Sequence, residues 1–107
     1  MTATDCVLVS VYFGEAARHE GAPLSDWLLK TAHEQGLAGA SLFRGIAGFG
    51  HDGVLHTASL LDISDNLPLR LDLVGSREDL KTWLDKVTPQ LGGATVVMRD
   101  AQLMETG

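Results

Sequence analysis

Cysteine is nearly absent. Cys6 stands alone among 107 residues, so no internal disulfide can form and no cysteine-rich zinc cluster can assemble. Positive charge is scarce too: Lys and Arg number 8 against 14 Asp and Glu, a formal net charge of −6. A protein that grips nucleic acid through its phosphates normally carries a basic footprint, so no nucleic-acid partner is expected. No apolar run reaches the roughly 18 residues that a membrane-spanning helix requires. Met1 to Asp5 lack the basic stretch that opens a secretory signal. These absences predict one domain over residues 1–107 in a reducing, cytoplasmic compartment, without direct membrane insertion. Nor is a catalytic pattern present. Ser41, Ser59 and Ser64 have no nucleophile-elbow context. Val7, Leu8 and Val9 flank Cys6 with apolar strand residues where a reactive thiol needs an exposed, electropositive setting. The expectation is that the protein is not an enzyme.

Glycine is in excess, with 12 residues where an average chain has about 7%. Between the glycines the hydrophobic pattern is regular. Cys6–Phe13 reads as a strand apolar on both faces. Pro23–Gln35 reads as a helix, with Leu24, Trp27, Leu28, Thr31 and Ala32 facing the core and Gly36 closing it. Ala40–Arg44 is a short strand. Leu67–Val74 is another, with Leu67, Leu69, Leu71 and Leu73 alternating against Pro68, Arg70, Asp72 and Val74. Ser76 opens a second helix with the stripe Leu80, Trp83, Leu84 and Val87, which ends by Gly92-Gly93. Ala94–Met98 is the last main strand, and Ala101–Met104 adds a short edge strand. The order is β-α-β twice. The expected fold class is α+β: a ferredoxin-like βαββαβ sandwich with two helices on one face of an antiparallel sheet.

The segment from Gly45 to Asn66 breaks this regularity. It carries Gly45, Gly48, Gly50 and Gly53, and its second half, His56–Ile63, is able to extend as strand. It is longer than an ordinary hairpin connection of about 2–5 residues, and long loops in compact domains are usually functional. Several motifs surround it: Tyr12-x-Gly14-Glu15, Pro23-Leu24, Gly36-Leu37-Ala38-Gly39-Ala40, Arg44-Gly45-Ile46-x-Gly48-Phe49-Gly50, His56-Thr57 and Asp65-x-Leu67-Pro68. Together they resemble the PII signal-transduction proteins, and in particular the PII-like branch catalogued as a domain of unknown function. The resemblance implies a homotrimer whose long T-loop, about residues 45–66, reports on a small molecule held between subunits. It implies an adenine nucleotide as a possible ligand, no required cofactor, and a membrane transporter, channel or enzyme as the partner met by the T-loop.

The implied ligand contacts are Glu15, Arg44, Gly45, Gly48, Phe49, Gly50, His56, Thr57 and Arg99. Arg44 either anchors an anion or pairs with Glu15 at the base of the loop. Three departures from the PII pattern bear on the ligand. Ala47 stands where PII proteins have a lysine, Gly92-Gly93-Ala94-Thr95 contains no lysine, and the loop has no tyrosine. A small phosphate, a cyclic nucleotide or a non-nucleotide ligand suits such a site better than ATP. The alternative is a metal-binding trimer similar to the CutA proteins, with His51 and His56 as the ligands.

Overall fold

The computed structural model describes residues 1–59 and 62–106. Its strands are β1 (Thr2–Gly14), β2 (Arg18–His19), β3 (Ala22–Pro23), β4 (Gly39–Arg44), β5 (Ala47–Gly48), β6 (His56–Ser59), β7 (Asp62–Ile63), β8 (Pro68–Gly75) and β9 (Thr95–Glu105). Its helices are α1 (Leu24–Gln35) and α2 (Arg77–Val87), the latter followed by a 3₁₀ turn over Thr88–Gln90. The main sheet has the antiparallel order β4-β8-β1-β9, the ferredoxin-like arrangement expected from the element order.

Both helices start and stop on local chemistry. The Ser76 hydroxyl accepts the Asp79 N–H at 3.1 Å and caps α2. Gly36 closes α1 at φ 76°, a conformation glycine takes without a Cβ clash. Pro23 sits just outside α1 in extended backbone rather than within its first turn. The two helices cover one face of the sheet. Val7, Val9 and Val11 of β1 and Leu71 and Leu73 of β8 meet Leu28, Leu80, Trp83 and Val87 there, all fully buried. Pairing places Val9 opposite Leu73 and Val11 opposite Leu71, so the two alternations combine into one apolar layer.

Two expectations are corrected and a third is refined. β1 and β9 are longer than their apolar patterns suggested, and pair over eleven positions from Thr2 with Glu105 to Tyr12 with Thr95. The segment Ala101–Met104 is therefore part of β9 and not a separate edge strand. A backbone ladder needs no apolar side chains, so the polar Thr2–Asp5 gave no sign of it. Second, β1 is fully buried on only one face within the chain; on the other only Ser10 is buried, its hydroxyl donating to Asp72 Oδ1 at 2.7 Å. Leu8 and Cys6 are half-buried and Tyr12 is exposed. Third, Trp27 is half-buried, with its ring stacked on His19 at 4.0 Å between centroids. It packs against the edge of the core, as its spacing predicts, and also supports the β2–β3 hairpin, so it is less deeply buried than its neighbours on α1.

The long loop folds as a small antiparallel meander. Ala47 pairs with Thr57, Gly48 with His56, and Ala58 with Ile63. The proposed strand His56–Ile63 is described as β6 and β7, and Leu60 and Leu61 lie outside the described residues.

Candidate functional site

The turn after β1 and the entry to β8 are tied together by hydrogen bonds. Glu15 N–H donates to Leu67 O at 2.9 Å, and Leu67 N–H donates to Glu15 Oε1 at 3.1 Å. Ala16 N–H donates to Asn66 Oδ1 at 2.9 Å. Across the same turn the Arg44 guanidinium grips Glu15 with two bonds, Nε to Oε2 at 2.9 Å and Nη2 to Oε1 at 3.2 Å. The Arg44 bonds, then the Leu67 amide, hold the Glu15 carboxyl below the usual carboxylate range. Arg44 and Glu15 are thus paired as one of the two sequence readings held.

A cavity of about 960 Å³ opens above this buttress. The stretch from Phe43 to Asp52, the ends of β1 and β8, and the loop leading into β9 supply its walls. Of the expected contacts, Arg44, Gly45, Gly48, Phe49, Gly50 and His56 line it, as does His51. Glu15 reaches the cavity only through Arg44. Thr57 lies one residue beyond, its Oγ1 accepting the Ser59 N–H at 3.2 Å. Arg99 pairs with Leu8 on β9, away from the cavity lining.

Several glycines have a packing reason of their own. A Cβ on Gly45 would meet the Pro68 ring at 2.9 Å, and one on Gly48 would meet it at 3.1 Å. These two glycines let the loop pack directly against the start of β8. Gly93 has φ 77°, and the His51 ring occupies the space a Cβ would need, 2.5 Å from Cε1. His51 therefore lies across the cavity against the loop before β9. His56 is fixed differently: its Nδ1 lies 2.6 Å from Ser64 Oγ, which also accepts the Asn66 N–H at 3.0 Å. Among the described residues no group of three or more His, Cys, Asp or Glu is placed to hold a metal ion.

The charged residues lining the cavity differ from those of the chain as a whole. Arg18, Arg44 and Arg70 line it, and among the described residues Asp52 is its one acidic lining residue. Glu15 and Asp72 stand behind two of these arginines, so the pocket of this acidic protein gathers guanidiniums without being basic as a whole.

The DUF190 family model, described as "Uncharacterized ACR, COG1993", matches residues 6–103. The chain belongs to the DUF190 family. Two similar proteins are UPF0166 proteins. One, from Aquifex aeolicus, is 28% identical over 97 residues, covering 91% of each chain. The other, from Methanocaldococcus jannaschii, is 28% identical over 80 residues, covering 75% of this chain and 73% of that protein. Among solved structures the fold is similar to CPII from Thiomonas intermedia K12, a nitrogen regulatory PII-like protein bound to ADP, AMP and bicarbonate. The TM-score is 0.71 at 13% identity, over 95% of this chain and 91% of that one. The motifs thus pointed to a family of unknown function whose fold is that of PII-like proteins, and no helix of the described residues is long and apolar enough to cross a membrane.

Two cavity residues of this DUF190 chain escaped the sequence analysis, Arg18 and Arg70. Arg18 sits in what read as a featureless polar loop. Arg70 was visible in the alternation of β8 as pointing away from the helices, but only the sheet order brings it beside Phe43, whose ring its guanidinium covers at 4.5 Å. The Arg44–Glu15 pair has a pH signature. A carboxyl held low in the folded state stabilises above its unfolded pKa, and that stabilisation is lost as pH falls through the folded value. Melting temperature measured from pH 7 downward should therefore fall below pH 4.5, the ordinary glutamate value, partly through Glu15. Glu15→Gln should melt lower at pH 7 and lose part of that acid slope. A variant whose melting curve parallels the wild type at every pH would show that the pair contributes nothing.

Proposed function

We propose that the protein is a PII-like regulatory trimer that holds a small anion, a nucleotide or a related oxyanion, in the clefts between its subunits and signals through its T-loop. The observation that carries this reading is the glycine-walled cavity at the root of that loop, into which three guanidiniums are gathered in a chain of net charge −6. The solved CPII structure, with the same fold, is bound to ADP, AMP and bicarbonate, which supports ligands of that class. Gly45, Gly48, Phe49, Gly50 and His56 are the candidate contacts, and Arg44 buttresses the wall they form. Glu15 acts on the ligand through Arg44. Thr57 and Arg99 become contacts only where a neighbouring subunit completes the cleft. No reacting group is called for, so the role is binding and signalling rather than catalysis, in the cytoplasm, with a transporter, channel or enzyme meeting the T-loop.

The sheet supports the assembly. Its face away from the helices carries Tyr12, Phe43 and Val97 exposed, and Leu8 and Val74 half-buried. Ser10, Asp72, Arg70 and Arg99 lie among them, and a mixed face with this many exposed large apolar side chains suits contact with another subunit. Light scattering should give three times the chain mass at micromolar concentration, and a monomer mass would overturn the trimer. Thermal melts with AMP, ADP, bicarbonate and divalent metals then test the ligand. An anion at 100 times its dissociation constant adds about 2.7 kcal/mol of stability. A melting shift with metal alone, abolished in the His51→Ala/His56→Ala double variant, would favour the CutA-like alternative instead.

A further inference from the structure

The three guanidiniums in the cavity are not equally free. Arg44 spends both faces of its fork on Glu15, at 2.9 and 3.2 Å. Arg70 lies 3.2 Å from Asp72 Oδ2, within ion-pair range, and covers the Phe43 ring. That approach is out of line for a hydrogen bond, and the buried Nε–H is left without an aligned acceptor. Arg18 differs from both. Its Nη1 donates to two backbone carbonyls, Glu15 O at 3.0 Å and Ala17 O at 3.2 Å. Among the described residues no carboxylate lies within ion-pair distance of it. Neutral carbonyls orient a guanidinium but leave its full charge, and its remaining N–H donors, for another partner.

The position is also well held. Arg18 begins the β2–β3 hairpin, paired with Pro23. Ala17 beside it is fixed at both ends, its N–H donating to Gly14 O at 3.1 Å and its carbonyl accepting the Leu24 N–H at 2.9 Å. The Glu15 carboxylate is near enough to feel the charge of Arg18 but makes no ion pair with it, and a charged group on a fixed mount, lining a pocket and with donors to spare, is what anion recognition requires.

We infer that Arg18, and not Arg44, is the residue that holds the oxyanion of the ligand, phosphate or bicarbonate. The inference rests on the anion-binding reading above and deepens it. Arg44 then positions the loop wall through Glu15, and Arg70 with Phe43 forms a flat surface beside the oxyanion site. This moves the anchor from the glycine loop to the turn between β1 and α1, a segment without a motif for phosphate.

Binding of AMP, adenosine and bicarbonate to wild type, Arg18→Gln, Arg18→Lys and Arg44→Gln should be measured by calorimetry or by NMR titration, alongside melting. Gln keeps amide donors for the two carbonyls, so Arg18→Gln should melt like the wild type. It should weaken AMP about ten- to a hundred-fold, the range expected for a lost charge-assisted bond, while leaving adenosine unchanged. Arg18→Lys should recover part of the loss. Arg44→Gln should lower the melting temperature and change AMP affinity less than Arg18→Gln does. If bicarbonate rather than AMP is the anion lost in Arg18→Gln, the same site is confirmed with the smaller ligand. Equal loss of AMP and adenosine, or unchanged affinity for both anions, would overturn the inference while leaving the anion-binding reading in place. A wild-type protein that binds neither anion would overturn both.

Discussion

Trp83→Ala is expected to cost about 3–5 kcal/mol of stability, the usual range for deleting a fully buried indole. Trp83 is 0% exposed and lies at the centre of the layer between α2 and the sheet. Its Nε1–H donates to Thr31 Oγ1 at 2.9 Å, tying α2 to α1 inside the core. Thr31 in turn donates to Leu28 O at 3.0 Å, so the hydroxyl keeps an acceptor when the indole is gone and the loss is mainly the cavity. A domain's net stability is about 5–15 kcal/mol, so the variant stands close to unfolding. At about 4–8 °C per kcal/mol for a chain of this size, thermal melting followed by circular dichroism should fall by well over 10 °C. Trp83→Phe keeps much of the volume and should fall less. A melt of Trp83→Ala within about 5 °C of wild type, roughly 1 kcal/mol, would mean that the core closes around the gap.

The second large effect is expected at Gly14, where β1 ends. A Cβ there would fall on the Asn66 side chain, whose Oδ1 accepts the Ala16 N–H. In Gly14→Ala the asparagine has to swing away. Overpacking of this kind costs about 1–3 kcal/mol, and the swing also frees the root of the long loop from the β1 turn. The readout that separates this mechanism from general damage is a double-variant cycle. Asn66→Ala removes the obstacle, so Gly14→Ala in that background should cost clearly less than in the wild type, a coupling of about 0.5–3 kcal/mol. Additive losses would mean that the two residues do not meet. Because Gly14 also lines the cavity, the single variant should weaken the proposed anion as well.

These two sites differ in how far the sequence announced them. Trp83 sits in a helical stripe with Leu80 and Val87, and its burial follows from period alone. Gly14 was readable as a turn, but nothing local says that its hydrogen faces Asn66, fifty-two positions on. The same contrast runs through the candidate site. Gly45, Gly48, Phe49, Gly50 and His56, which line the cavity, could be singled out because they lie in two motifs of one loop. Arg18 was missed because its meaning depends on what lies across the cavity from it. Trp27 faces the core as its spacing predicts, but its second role, stacking on His19, was hidden because His19 lies in a segment without a pattern of its own.

By itself the sequence determined the order of the main elements, the Gly36 stop and the Ser76 cap, the apolar face of β8 and the family of unknown function to which the chain belongs. All of these rest on short-range regularities: a period of two or 3.6, a cap within three residues, a motif in one stretch. The tertiary structure alone decided that Arg44 is occupied by Glu15, that Arg18 is bonded to backbone carbonyls rather than to a carboxylate, and that Gly45 and Gly48 are small because Pro68 lies against them. It also decided that β1 and β9 run on together past the core. The physical reason is the same in each case. Charge pairing and steric exclusion act over a few ångströms in space, and in an antiparallel sheet of order β4-β8-β1-β9 those few ångströms join residues that stand tens of positions apart in the chain.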